Sequence, residues 1–169
     1  IGRRARLEGS SEVRGASLRA MATLGDAATL EAVYPALEAA DPQVRLGAMV
    51  GLLRSGELEA MLAAGERLLA WVASPDPRAR TLAARALAEA HIRTLYRPLL
   101  KLLGDEDPAV QRAALAAAAQ VQHPSLWPPA IACLAAPATR AAAAEALVAG
   151  GAGALPALEA ALARHEREP

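Results

Sequence analysis

A short pattern that returns at nearly even intervals constrains this chain more than any other feature. Five segments place a proline or serine three residues ahead of an arginine or glutamine: Ser11-Glu12-Val13-Arg14, Pro42-Gln43-Val44-Arg45, Pro77-Arg78-Ala79-Arg80, Pro108-Ala109-Val110-Gln111 and Pro137-Ala138-Thr139-Arg140. Their last positions are 31, 35, 31 and 29 residues apart. A period of roughly thirty residues is enough for two short helices and their turns. Three residues past that position stand Ser17, Ala48, Ala83, Ala114 and Ala143. Seven past it stand Met21, Leu52, Leu87, Ala118 and Leu147, so one helical face stays small and apolar in copy after copy. This is the buried face of a second helix that starts near residues 11, 42, 77, 108 and 137.

Three copies carry their own start signal. Asp41-Pro42, Asp76-Pro77 and Asp107-Pro108 set an acceptor at the N-cap ahead of a proline at the first helical position, where the missing N–H costs nothing. Gly25, Gly104 and the Gly150-Gly151 pair are expected to close the preceding helices in a left-handed conformation, with Asp26 and Asp105 capping the next helix or turning the chain into it. First helices are expected over residues 29–40, 58–73, 92–103, 124–135 and 154–163. Four of them contain proline (Pro35, Pro98, Pro128 with Pro129, and Pro156), which either kinks a helix or resets its start.

An αα-hairpin of this size has too little apolar surface to stand alone, so each pair must bury its face on the next. The expected fold is therefore an all-α solenoid, read as one domain over residues 1–169 with about five repeats and a terminal helix. Composition agrees: Ala and Leu make up roughly two-fifths of the chain and aromatic residues 2%, which argues against a β-sandwich or barrel. With 54% hydrophobic residues and 18 basic against 18 acidic, the chain has the makings of a core and no net electrostatic pull toward nucleic acid or anionic membrane. Residues 113–139 lack charge, yet Pro124, Pro128, Pro129 and Pro137 interrupt them, so direct membrane insertion is not expected. The single Cys133 allows no internal disulfide, which makes a reducing, cytoplasmic setting the default expectation.

Asp-Pro-x-Val-Arg, followed by Ala at three and Leu at seven residues and preceded by helices such as Tyr34-Pro35-Ala36-Leu37, resembles HEAT repeats, and most of all their short, alanine-rich bacterial variety. The resemblance runs from Ser11 to about Arg164. It implies a right-handed, armadillo-like superhelix in which the Asp and Arg of successive repeats form a hydrogen-bonded ladder, carried here by Asp41, Arg45, Asp76, Arg80 and Asp107. Gln111 departs from that pattern; Arg112 beside it points about 100° further round the helix, leaving the ladder incomplete at that repeat. Ser10 and Ala136 replace the aspartate in the first and fifth copies. The resemblance implies a protein-binding scaffold, and leaves open a lyase acting on a tetrapyrrole-bearing protein or a soluble regulatory segment fused to a membrane transporter.

The residues themselves offer little chemistry. A dinuclear metal site of the hydroxylase-like relatives needs several His-Glu pairs, and only His165-Glu166 is present, with His91 and His123 lacking an adjacent acid. Cys133 lies in an apolar run without a base and reads as a small core residue. Gly150-Gly151-Ala152-Gly153 lacks the Lys-Ser/Thr ending of a phosphate loop. Arg3, Arg4 and Arg6, and further on Arg78, Arg80 and Arg85, form small basic clusters without the aromatic residues that stack bases. Trp71 and Trp127 read as packing residues. No catalytic residue, metal ligand or cofactor site is expected, and no nucleic acid partner.

A partner is expected on the second helices, at positions one, two, five and nine past the repeating arginine, away from the face described above. These are Arg19, Leu46, Val50, Arg54, Thr81, Leu82, Arg85, Glu89, Arg112, Gln120 and Glu145. Their mix of arginine and small apolar residues suits a peptide or helix bearing acids and apolar anchors. Residues 1–8 and 154–164 read as the two halves of incomplete repeats, as expected of a piece of a longer protein.

Overall fold

The computed structural model describes residues 10–165, and no strand occurs among them. Ten α-helices succeed one another in these residues: α1 (Ser11–Leu24), α2 (Ala27–Val33), α3 (Pro42–Arg54), α4 (Leu58–Val72), α5 (Pro77–Ala90), α6 (Tyr96–Leu103), α7 (Pro108–Val121), α8 (Trp127–Ala132), α9 (Arg140–Gly150) and α10 (Leu155–His165). Short 3-10 turns cover Tyr34–Glu38, Arg93–Leu95, Pro124–Leu126 and Gly151–Gly153. The chain forms two compact units, one ending at Trp71 and one beginning at Val72. The fold is all-α, of the helical-repeat solenoid class. The basic stretch at Arg3, Arg4 and Arg6, the half-repeat over residues 1–8 and Glu166 lie outside the described residues.

The aspartate caps stand where the sequence puts them. Asp41 accepts the backbone N–H groups of Gln43 at 2.8 Å and Val44 at 3.4 Å, Asp76 that of Arg78 at 2.9 Å, and Asp107 that of Ala109 at 2.7 Å. Each cap contributes about 1 kcal/mol. Where Ala136 replaces the aspartate, no side chain takes the orphan donors, and the helix begins at Arg140 instead of Pro137. Proline in the first helices marks a late start more often than a kink. Pro98, Pro128, Pro129 and Pro156 all lie in the first turns of α6, α8 and α10, after a 3-10 turn, where no intrahelical N–H bond is lost. Pro35 differs, lying in the 3-10 turn that succeeds α2.

In the first unit, α1 crosses α3 at backbone contact. A Cβ on Gly47 would collide with the carbonyl of Gly15, one on Gly15 with that of Gln43, and one on Gly51 would come within 2.7 Å of Ala22 Cβ. Three glycines thus let the two helices approach more closely than any side chain permits. α3 is consequently buried almost all round, with Val44, Ala48, Met49, Leu52 and Leu53 enclosed. The face expected from the period is correct in four copies, where Ala48, Ala83, Ala114, Ala143, Leu52, Leu87, Ala118 and Leu147 are buried. It fails in the first, where Ser17 and Met21 are exposed.

In the second unit, α5 packs on α7 and α7 on α9, the side-by-side stack of second helices that the repeat requires. Leu99, Leu102 and Leu103 of α6 and Trp127 and Ala130 of α8 supply the first-helix layer of that core. Trp127 is enclosed because Gly150 closes over it: a Cβ there would fall 2.7 Å from its ring. Only Gly151 among the glycines named as helix closers has a positive φ, +53°; Gly25 and Gly104 close α1 and α6 without one. The left-handed caps belong instead to His91 and Gln122, at φ 55° and 50°.

Candidate functional site

The turns between helices are tied by arginine, in a form that differs from the expected ladder. Asp41, Asp76 and Asp107 each accept N–H groups of their own helices, and Asp41 is also approached by the Ser11 hydroxyl and the Arg14 charge of the preceding repeat, whereas the bidentate partner of Arg80 is Asp105, two residues ahead of the next Asp-Pro. Arg80 Nε and Nη2 donate to Asp105 Oδ2 and Oδ1 at 2.7 and 2.8 Å, and Nη1 donates to the carbonyls of Ser74 and Pro75 at 3.0 and 3.1 Å. Burial pushes the Asp105 carboxyl up, and the Arg80 bonds overcome that to hold it below the usual carboxylate range. Arg140 repeats the backward half, donating to Leu134 and Ala135, again six and five residues earlier. In the first unit the Arg45 guanidinium lies 5.9 Å from the centre of the Trp71 ring. At the copy with Gln111, Arg112 reaches forward and donates to Ala138 O at 3.2 Å.

A second set of ties runs along the other ends of the second helices and is not legible in the repeat. His91 at the end of α5 lies 3.3 Å from Gln120 of α7, Gln122 at the end of α7 donates to Ala149 O of α9, and Arg93 donates to Gln122 O. The positive φ of His91 and Gln122 turns these side chains out of their own helices, and no sequence rule marks such residues as firmly as glycine.

The expected partner residues divide into two groups. Leu46, Val50 and Leu82 are buried, at 2%, 0% and 4% exposure, and belong to the core, correcting their assignment to an accessible face. A second helix with neighbours on more than one side buries more than one stripe, and apolar side chains at positions one, two or five are drawn in with it. Arg54, Arg85, Arg112, Gln120 and Glu145 are exposed or half-buried at the surface, as are Arg19, Thr81 and Glu89. Within the second unit, Thr81, Arg85 and Glu89 lie on α5, Arg112 and Gln120 on α7, and Glu145 on α9.

Among the described residues, no group of three His, Cys, Asp or Glu is placed to hold a metal ion. Cys133 is buried, its thiol 3.7 Å from Leu103 O and pushed up in pKa by burial. His123 stacks face to face on Tyr96 and accepts the N–H of Ser125, while His165 stands exposed at the end of α10. Trp71 and Trp127 are both core residues. No single described helix is long and apolar enough to cross a membrane, and residues 113–139 are broken among α7, a 3-10 turn, α8 and the turn before α9.

Models of HEAT repeats match residues 65–148 and 96–168, more than half of the chain. The chain belongs to the HEAT-repeat family. HEAT repeats generally mediate protein–protein interaction and are typically non-catalytic scaffolds. No curated protein matches the sequence.

Proposed function

We propose that this HEAT-repeat chain is a non-catalytic scaffold that binds a peptide or protein partner on its second helices, or joins domains of a longer protein. The observation that carries the reading is the register of α5, α7 and α9: each copy buries positions three and seven past the repeating arginine and exposes position five, occupied by Arg85, Ala116 and Glu145. Helices that pack in sequence bring these positions side by side, giving a surface that is part arginine, part small residue and part acid. Such a surface favours an extended or helical segment with acids facing Arg85 and Arg112 and small apolar side chains over Ala116. The setting in keeping with the single buried thiol is cytoplasmic.

Selection of peptides from a random display library on the immobilised chain tests the reading, with an Arg85→Glu/Arg112→Glu variant in parallel. Peptides enriched in Asp and Glu that bind the parent and are lost on the variant, which circular dichroism shows to be folded, support it. Enrichment that ignores the variant contradicts it.

A further inference from the structure

A different surface, on a first helix, has the makings of a second binding site of opposite charge. α4 buries one stripe, Ala60, Ala64, Leu68 and Trp71, as a core helix should. It also leaves a second apolar stripe in solvent: Leu58 is 69% exposed, Met61 38%, Leu62 59% and Leu69 55%. At about 100° per residue, positions 58, 61, 62, 65 and 69 fall within one sector of the helix. Position 65 is glycine, and a Cβ there would meet nothing within 4 Å, so the stripe has a shallow notch at its middle, between Leu62 and Leu69. Contiguous leucine in water at this spacing is the pattern of a helix that receives another helix.

Charge restricts the occupant. Glu59 and Glu66 flank the stripe at the surface, while the one basic residue of α4, Arg67, lies on the far side and is paired with Glu38. At its N-terminal end the stripe runs into a recess of about 310 Å³ lined by Leu30, Glu31, Tyr34, Glu57, Leu58, Glu59 and Ala60. That recess has an apolar floor and three carboxylates, and Glu31 and Glu59, after burial itself, hold the Tyr34 phenol above its usual pKa. An aliphatic stem ending in a cation fits both parts. We infer that the exposed stripe of α4, with the Glu31/Glu57/Glu59 recess, docks an amphipathic helix of a partner protein whose leucine-type face is flanked by lysine or arginine, one of which enters the recess. A second copy of this chain fits less well, since like stripes would set Glu59 and Glu66 beside each other's acids.

The inference deepens the reading of the chain as a protein-binding scaffold, and the two are separable because they use different helices. A fluorescein-labelled peptide of about 18 residues, with leucines on one helical face and lysines beside them, is titrated in fluorescence anisotropy. Leu62→Ser/Leu69→Ser and Glu57→Lys/Glu59→Lys each weaken it at least tenfold, Arg85→Glu/Arg112→Glu leaves it unchanged, and the Lys→Glu peptide fails to bind. Circular dichroism confirms that the variants fold; Leu62, Leu69, Glu57 and Glu59 are all exposed. Equal affinity across the variants, or no binding to the parent, overturns the inference. So does a dimer in sedimentation that Leu62→Ser/Leu69→Ser dissociates, which would give the stripe to a second copy.

Discussion

Arg80 and Asp105, 25 residues apart, meet through two parallel hydrogen bonds while the same guanidinium holds the carbonyls of Ser74 and Pro75. One side chain thus fixes the turn before its own helix and the turn before the next. Both partners are nearly enclosed, at 10% and 8% exposure, so removing one leaves the other buried without its counter-charge. Asp105→Ala should cost about 3–5 kcal/mol in urea unfolding. Arg80→Met combined with Asp105→Leu should cost clearly less, since no charge is then stranded. A double variant as unstable as the single one would mean that the loss does not come from a stranded charge.

The same pair gives the fold an acid limit. The Asp105 carboxyl is depressed in the folded state, as are those of Asp41 and Asp26, the latter two chiefly by N–H groups of their own helices. A group depressed on folding contributes stability above its unfolded pKa, about 3.9, and loses it as pH falls through the folded value. The urea midpoint should be flat from about pH 6 to pH 5 and fall below about pH 4. Asp105→Asn should start lower and fall less steeply, because one of the responsible carboxylates is gone.

Gly47 and Gly65 are both helical glycines, and the structure separates them. Gly47→Ala should destabilise by about 1–3 kcal/mol or more, because backbone of α1 fills the space its Cβ needs. Gly65→Ala should stabilise by about 0.5–1 kcal/mol, since its Cβ enters open space and alanine is the better helix former. Thermal melts of the two variants read the difference directly.

Leu87 and Ala83 sit on the same buried face of α5, yet their contributions differ. Leu87→Ala should cost about 2–5 kcal/mol through lost burial and the cavity left behind. Ala83→Gly should cost about 1 kcal/mol, the helix-propensity difference. Equal urea midpoints would mean that Leu87 is not a core residue.

How much of this is legible in the sequence depends on how local each feature is. Asp41, Asp76 and Asp107 are legible because a cap and its N–H donors lie within three residues, and Ala83 or Leu87 because a helical period repeats them. Gly15, Gly47 and Gly51 are not, because a helical glycine reads as a weak helix former until the helix facing it is known. Leu46, Val50 and Leu82 fall on the expected partner face by rotation alone, which assumes a helix with one buried side. Arg80 stands out as a ladder residue, but its acid is Asp105, because the choice between two aspartates two residues apart is made by the turn and not by the repeat. The stripe on α4 is hidden for a simpler reason: Leu58, Met61, Leu62 and Leu69 look like core until the core is seen to use Ala60, Ala64 and Leu68 instead.

Hydrogen–deuterium exchange, recorded with and without a peptide selected on the chain, tests the scaffold reading most directly. Slowed exchange along α5, α7 and α9, centred on the segments carrying Arg85, Arg112 and Glu145 and abolished by Arg85→Glu/Arg112→Glu, is the predicted result. Protection confined to other helices, with these three unchanged while the peptide is bound, would contradict it.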